Sequence, residues 1–214
     1  MRIRWRNLEL PSRVSVERST LDKTYGKFVI EPFERGFGHT IGNGLRRVLL
    51  SSIEGTAVRW IKLKGAVHEF QSVDGVVEDV TDMVLQLKQV LIRIPGDGPV
   101  MIKIDKKSKG PVTAGDIVCE GDAEVANPGL HICTLWKDME FHLEAEVSRG
   151  RGYTTAEENE AGGGRHSDAG ARRGQRDVEQ EIGKIWIDSI FSPVLRVKYS
   201  TEDTRVGKLT DYDK

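Results

Sequence analysis

Apolar and polar side chains alternate along most of this chain, and the period of the alternation changes from place to place. Over residues 139–147 every second residue is apolar, and the residues between them include Glu140, Glu144 and Glu146. A period of two puts alternate side chains on opposite faces, which predicts a strand with one buried and one solvated face. Apolar runs bounded by turn residues predict further strands at residues 27–30, 58–64, 90–94, 100–104, 184–190 and 194–199.

Two segments have the longer period of a helix. At residues 78–88 apolar side chains recur at every third or fourth position, which predicts an amphipathic helix. The same spacing predicts a second helix at residues 39–53, opened by His39 or Thr40 and closed by Gly55. Two helices among many strands, without regular strand–helix alternation, predict an α+β fold.

The helix predicted at residues 39–53 has two distinct sides. Ile41, Leu45 and Val48 form its main apolar stripe, which is expected to face the core. Arg47 and Leu50 lie on the other side. Either Leu50 is one of the scattered exposed leucines that are ordinary in proteins, or this side is a second contact face. In the second case Leu50 fills a pocket of a partner and Arg47 binds a carboxylate.

Two glycines lie inside the same predicted helix. Gly42 and Gly44 each cost about 1 kcal/mol relative to alanine at a helical position. A helix that contains both is expected to gain close packing of its backbone. That packing is either against its own sheet or against a second copy and a further protein.

Composition changes sharply over residues 154–181, where Val178 is the only residue with a large apolar side chain. Such a segment cannot bury enough apolar area to offset its ordering entropy. It is predicted to be a flexible surface loop, with an active-site lid as the alternative.

Charge and cysteine content narrow the class of protein. The chain has 32 Lys+Arg and 33 Asp+Glu in 214 residues, so no overall positive field exists to hold a nucleic-acid backbone. Two cysteines, Cys119 and Cys133, are too few for a disulfide framework. No secretory signal and no apolar run of about 18 residues is present. A soluble cytoplasmic protein in a reducing compartment is expected.

Candidate catalytic and ligand-binding motifs are weak. The glycine-rich segment at residues 36–44 has its third glycine one position too late for a dinucleotide loop, and it is no P-loop either. His131 and Cys133 lack the further ligands of a zinc site. No catalytic residue, metal site or cofactor is therefore expected.

Several long motifs carry a family resemblance. Residues 31–52, EPFERGFGHTIGNGLRRVLLSS, resemble the first conserved block of the bacterial RNA polymerase α subunit. Further matching blocks follow in order: HEF from His68, GVVEDVTDMVLQLK from Gly75, GPVTAGDI from Gly110, GRGY from Gly150, IDSIFSPVLRVKY from Ile187 and TRVGKLTDYDK from Thr204. The likeness covers about residues 25–214, and the chain is identified as a member of that family, in its amino-terminal assembly and dimerisation region.

The resemblance implies a non-catalytic subunit of a nucleotidyltransferase complex. Such a subunit forms a homodimer and then recruits the β and β′ subunits, with omega and sigma in the complete enzyme. Neither a membrane nor direct DNA contact is expected, and the location implied is the cytoplasm of a bacterium or a plastid. The resemblance also implies a dimerisation subdomain at residues 1–51 and 177–214, and an insert subdomain at 52–176 whose end is spanned by the loop 154–181.

The resemblance also implies site residues. The β-subunit interface is expected at Arg46, Arg47 and Leu50. A further contact with the β or β′ subunit is expected at Lys88, Asp188, Ser192, Pro193 and Val194. The apolar residues of the dimer helix are expected to be Phe37, Ile41, Leu45, Val48 and Leu49.

The chain departs from the family pattern in three places. The polar segment after Tyr153 is longer than usual, and the first residues, MRIRWRNLELPSR, match no family block. In the family, a strand, a second dimerisation helix and a DNA-binding domain follow the position of TDYDK. Contacts with promoter DNA and activators are therefore not assigned to these residues, and one part of the usual dimer interface is expected to be absent.

Two other functions are kept as alternatives. An enzyme for a phosphorylated ligand would use the glycine-rich segment at residues 36–44. A nucleic-acid-binding module would use Arg46, Arg47, Arg172 and Arg173, and its DNA affinity would fall steeply with salt.

Overall fold

A computed structural model describes residues 10–96, 98–162, 183–207 and 209–214 of the chain. The chain divides into two compact units, which are described separately. Unit 1 comprises Met1–Leu50 and Val194–Lys214, and unit 2 comprises Ser51–Pro193. The mixture of a few helices with many short strands confirms the α+β prediction.

The elements follow one another in this order: β1 (Val14–Val16), β2 (Phe28–Ile30), β3 (Phe33–Glu34), α1 (Phe37–Ser51), β4 (Glu54–Leu63), α2 (Val80–Leu87), β5 (Ile92–Arg93), β6 (Val100–Lys106), β7 (Gly110–Thr113), β8 (Ile117–Cys119), β9 (Glu124–Val125), β10 (His131–Leu135), β11 (Phe141–Arg151), β12 (Tyr153–Thr154), α3 (Ala156–Glu160), β13 (Lys184–Trp186), β14 (Ser189–Ile190), β15 (Asp203–Val206) and β16 (Leu209–Asp213). A short 3₁₀ turn, Ala114–Asp116, joins β7 to β8.

Unit 2 is built on a five-stranded sheet in the order β13-β4-β11-β6-β8. The central strand β11 pairs antiparallel with both β4 and β6. Its alternate residues Phe141, Leu143, Ala145 and Val147 are buried, which confirms the period of two seen in the sequence. The helix α2 packs in the same core. Its four buried side chains are Val80, Met83, Val84 and Leu87.

Unit 1 is much smaller and has little interior of its own. The strands β1 and β2 form a hairpin, and a second small sheet has the order β15-β16-β3. All buried apolar residues of the described chain lie between Val58 and Phe191, which places them in unit 2. In the described part of unit 1 the buried positions are Gly38 and Asp213.

Several predicted elements differ from the structure. No strand is present at residues 194–199, and the single strand predicted at 184–190 is two strands, β13 and β14. A run of β-branched and aromatic residues favours extended backbone, but a strand also needs a neighbour to pair with. The helix predicted at 39–53 is α1, which begins and ends two residues earlier.

The boundary of unit 2 also differs from the expected insert subdomain. Residues 184–193 belong to unit 2, whereas the sequence analysis assigned them to the dimerisation subdomain. The reason is strand pairing, since β13 pairs with β4 and β14 pairs with β12.

The segment predicted as a flexible loop at residues 154–181 is described only at its beginning. Residues 163–181 lie outside the described residues. The described beginning includes the helix α3, and Asn159 on that helix is buried. The side-chain nitrogen of Asn159 donates to the backbone oxygen of Ile187 at 2.7 Å and to Ser189 Oγ at 2.9 Å. This part of the segment is therefore packed within unit 2.

Among the described residues, no helix combines the length and apolar character that crossing a membrane requires.

The solvated face of β11 carries a histidine between two carboxylates. His142 Nδ1 lies 2.6 Å from Asp105 Oδ1, and His142 Nε2 lies 3.4 Å from Glu144 Oε1. The hydrogen bond to Asp105 raises the pKa of His142; partial burial opposes this, and the charges of Asp105 and Glu144 add to it. The folded protein therefore holds the His142 proton more tightly than the unfolded chain does.

This arrangement predicts a pH-dependent stability of unit 2. Protonated His142 stabilises the folded state through Asp105 and Glu144. This stabilisation is fully present below the pKa that His142 has in the unfolded chain, and it is lost as the pH rises through the raised pKa of His142 in the folded protein. Urea unfolding measures the free energy of unfolding at about pH 6 and at about pH 8. The decrease between these two pH values should be larger in the wild type than in His142→Gln. The control Asp105→Asn should remove most of the difference. An equal pH response in all three proteins would contradict the assignment.

Candidate protein-interaction site

The start of α1 is held by a carboxylate from the far end of the chain. Asp213 Oδ2 accepts hydrogen bonds from the backbone N–H of Gly36 at 2.8 Å and of Gly38 at 3.0 Å. The first N–H groups of a helix have no partner within the helix, and a negative charge there is favoured by the helix dipole. This contact explains why α1 begins before the predicted start. It also occupies N–H groups that a phosphate would need at residues 36–44, so the phosphate alternative loses its basis.

The next turn of α1 packs closely against the same part of the chain. A Cβ atom built on Gly42 would lie 2.5 Å from Tyr199 Cδ2, and one built on Gly38 would lie 2.8 Å from Thr201 Cγ2. His39 Nε2 is 3.0 Å from Thr201 Oγ1. We call Tyr199, Thr201 and Asp213 the α1 anchor. Of the two glycines noted in the sequence, Gly42 is required by close intrachain packing, whereas a Cβ on Gly44 would meet open space.

The apolar stripe of α1 does not face an interior. Its residues have exposed fractions between 37% and 53%. They are Phe37, Ile41, Leu45, Val48 and Leu49. The expectation that the stripe packs into the core is therefore wrong for unit 1. The glycines face inward instead. Around the helix axis, Phe37, Ile41 and Val48 lie about 100–140° from Gly42, whereas Leu45 and Leu49 lie about 60° and about 20° from it, further along the helix.

A groove lies on the other side of the packed face, between α1 and residues 195–200. It has a volume of about 560 Å³ and is lined from the helix by His39, Arg46 and Leu50. Leu195 on the opposite wall is 92% exposed. The lining residues also include Arg196, Val197, Lys198, Tyr199 and Ser200, and none of the described lining residues is acidic. We call this feature the basic groove.

Two of the three expected β-contact residues lie in the basic groove. Arg46 and Leu50 line the basic groove, with Leu50 half-buried. Arg47 is exposed and is not part of the groove lining. Neither Arg47 nor Leu50 is enclosed in the interior of the unit, so both remain accessible to another protein.

The second expected contact region contains an ion pair in unit 2. Lys88 Nζ bonds Asp188 Oδ1, and their side chains are 20% and 35% exposed. Burial alone would raise the pKa of Asp188, but the hydrogen bond and charge of Lys88, with a hydrogen bond from Tyr153, lower it. Ile190 is exposed beside Tyr153, its cross-strand partner.

The remaining residues of this expected contact adjoin the unit boundary. Ser192 is half-buried and Pro193 is exposed in unit 2, and the half-buried Val194 begins the second part of unit 1.

Several residues of these sites were missed by the sequence analysis. Asp213 acts across 175 and 177 residues of chain, so no local spacing could connect it to α1. Leu195 was assigned to a strand, and Tyr153 was seen only as part of a motif. Their exposure on a folded surface is the missing signal.

The structure adds no support for a metal site, a reactive cysteine or a nucleic-acid-binding site. Within the part of the chain that the structure describes, no group of three or more His, Cys, Asp or Glu is placed to hold a metal ion. Burial raises the pKa of Cys133 to about 12, and Cys119 is half-buried. Of the arginines proposed for nucleic-acid binding, Arg172 and Arg173 lie outside the described residues.

Comparison with known proteins adds an independent line of evidence. The family model described as "RNA polymerase Rpb3/RpoA insert domain" matches residues 61–192. The chain is 46% identical over 214 residues to the DNA-directed RNA polymerase subunit alpha of Rhodopirellula baltica, covering 100% of this chain and 60% of the relative. Identity to the same subunit of Desulforamulus reducens is 47% over 207 residues, covering 97% and 60%. For Geobacter metallireducens it is 44% over 210 residues, covering 98% and 57%. The chain thus spans about 60% of the length of these curated relatives.

The close approach of Gly42 to Tyr199 generates a prediction. Gly42→Ala should destabilise α1 by about 1–3 kcal/mol, because the new methyl group overlaps the aromatic ring. In a Tyr199→Ala background the same change should be neutral or stabilising, by up to about 1 kcal/mol of helix propensity. Hydrogen exchange of the α1 amides measures this local stability. Equal effects of Gly42→Ala in both backgrounds would show that the two residues do not pack together.

Proposed function

The chain belongs to the family of the RNA polymerase Rpb3/RpoA insert domain, and from this membership we propose that it acts as an α subunit of DNA-directed RNA polymerase. In this proposal it forms a homodimer in the bacterial cytoplasm and scaffolds the assembly of the β and β′ subunits. The chemistry of nucleotide transfer belongs to those other subunits. No role in DNA binding is proposed for these residues.

The observation that carries the proposal is the state of α1. Its apolar side chains are exposed, and the described part of unit 1 contributes no apolar residue to the buried core. Contiguous exposed apolar surface marks sites of protein–protein contact. A scaffold is therefore better supported than an enzyme, because the main feature of unit 1 is an exposed apolar surface suited to protein–protein contact.

We assign the apolar stripe to the homodimer. A two-fold dimer needs a patch that fits a copy of itself, and an uncharged stripe along one helix can meet the same stripe of a second copy. The five stripe residues carry no charge that would be desolvated in such a contact. Leu45 and Val48, near the middle of the stripe, would lie close to the two-fold axis.

We assign the opposite side of α1 to the β subunit. Arg46 and Leu50 line the basic groove, and Arg47 is exposed beside it. Arginine and large side chains in a water-excluding pocket are the residues that usually dominate the binding energy of an interface. The second contact, which we assign to β or β′, uses the ordered pair Lys88–Asp188 with Ser192, Pro193 and Val194.

The dimer assignment is tested with a charge in the stripe. Val48→Glu should abolish the dimer at micromolar concentration, because an unpaired carboxylate would be buried in an apolar contact. Sedimentation velocity measures the monomer–dimer equilibrium. The control Leu85→Glu places the same charge on an exposed apolar residue of unit 2 and should leave the dimer intact. Loss of the dimer in both variants, or in neither, would contradict the assignment.

The β-subunit assignment is tested with a double variant. Arg47→Ala with Leu50→Ala should weaken capture of co-expressed β by about 2–4 kcal/mol, as expected for a central hot spot. The dimer should persist. Arg18→Ala removes an exposed arginine of unit 1 that does not line the groove and serves as the control. Recovery of β by the double variant at the wild-type level would remove the assignment.

A further inference from the structure

The two surfaces of α1 depend on the rotation of the helix about its axis. Successive residues of an α-helix are about 100° apart, so a shift of one residue at its start would turn each side chain by that angle. In either direction Arg46 and Leu50 would leave the groove, and in one direction the apolar stripe would turn onto the packed face. Whatever fixes the start of α1 therefore determines which residues a partner meets.

The carboxylate of Asp213 binds the backbone at the start of α1. Asp213 is 9% exposed, and its single oxygen Oδ2 receives both the Gly36 and the Gly38 N–H. It lies on β16, directly opposite Phe33 of β3 in the antiparallel register. The short strand β3 ends only two residues before Gly36. The carboxylate and the start of α1 are thus held in one local framework.

The other members of the α1 anchor fix the rotation rather than the start. Gly38 and Gly42 lie one turn apart on one side of α1, against Thr201 and Tyr199. The close approach needs glycine at these positions, since any other residue would place its Cβ within 3.0 Å of these side chains. A helix turned by one residue would present Phe37 and Ile41, or His39 and Asn43, where the glycines are needed. Only one rotation of α1 is therefore compatible with both the close packing and the carboxylate contact.

We propose that Asp213 is a positioning residue for both contact surfaces of α1, acting through the Gly36 and Gly38 N–H groups. This inference rests on the proposed function for the identity of the partners, a second copy and β. The hold on α1 itself does not depend on that function. Removing the carboxylate leaves the partner-contacting residues unchanged in the sequence, but it releases the start of the helix that carries them.

The experiment compares Asp213→Ala, Asp213→Asn and Asp211→Ala in the 214-residue chain. Asp211 is exposed and lies on the same strand as Asp213. The substitution Asp211→Ala removes the same charge and is therefore the matched control. The asparagine variant keeps an oxygen that can accept both N–H groups. Three quantities are measured: hydrogen exchange of the amides of residues 36–41, the dimer equilibrium by sedimentation, and capture of co-expressed β. Exchange in β11 reports whether unit 2 is unaffected.

We expect Asp213→Ala to accelerate exchange at residues 36–41 at least about tenfold and to weaken both the dimer and β capture about tenfold or more. Asp213→Asn should restore most of each loss, and Asp211→Ala and the exchange of β11 should match the wild type. Unchanged exchange at residues 36–41 in Asp213→Ala would overturn the inference. Faster exchange with wild-type dimerisation and capture would overturn it too, because the helix start would then not govern the surfaces.

Failure of the proposed function is distinguishable from these results. If the wild type does not capture β, that function fails, whereas exchange and the dimer equilibrium of the unbound chain still decide the role of Asp213. If the wild type captures β and Asp213→Ala does so equally well, the inference about Asp213 fails alone.

Discussion

The helix α1 packs against its own chain through glycines, and this contact decides where its larger side chains can go. Gly38 and Gly42 bring the helix backbone against Thr201 and Tyr199 with no room for a Cβ atom. Because this contact is made by residues without side chains, it buries little of the apolar surface of α1. The large apolar side chains make no such contact, and the described unit 1 leaves them between 37% and 53% exposed.

The comparison with α2 shows how much this constraint matters. Both helices are amphipathic, and both were recognised from the same spacing of apolar residues. In α2 that spacing supplies four buried side chains to the core of unit 2. In α1 it supplies a stripe at the surface, and Gly38 is the buried residue. Amphipathicity identifies a helix with an apolar side but does not say which molecule covers that side.

The two units therefore differ in what holds them together. Unit 2 has a continuous core that includes Phe141, Leu143 and Met83, closed by the five-stranded sheet and α2. Two buried polar residues of unit 2 are also paired: Asn159 donates to Ser189 Oγ at 2.9 Å, and Ser189 Oγ donates to the backbone oxygen of Val58 at 2.7 Å. The described part of unit 1 depends on strand pairing, the α1 anchor and a few ion pairs. A second molecule that covered the stripe would add the apolar burial that this unit lacks.

The local spacing of apolar residues was sufficient to predict helices and strands that bury one regular face. The alternation of residues 139–147 predicted β11, and the spacing of Val80 to Leu87 predicted α2. It was not sufficient at residues 194–199, whose composition favours a strand but which have no strand assigned. The pairing of β13 with β4, within unit 2, likewise has no signal in the local pattern.

The candidate interaction site on α1 could also be predicted only in part from the sequence. Its residue types, an arginine pair followed by leucines on one helix, are visible in the sequence. The family resemblance supplied their expected roles. The second wall of the groove and the contact with Asp213 were not visible, because both join segments that are more than 140 residues apart in the chain. Contacts of that length follow from the packing of the whole unit, which periodicity does not report.

The two proposed contacts of α1 differ in their chemistry, and the difference favours an order of assembly. An uncharged stripe gains affinity mainly from apolar burial, which suits a lasting contact between identical copies. A groove lined by Arg46, Arg196 and Lys198 attracts acidic groups over a longer range and discriminates against basic partners. The packed glycine face separates the two surfaces, so a copy bound at the stripe leaves the groove accessible. In the proposed function, a dimer that forms first therefore leaves the groove accessible to the β subunit.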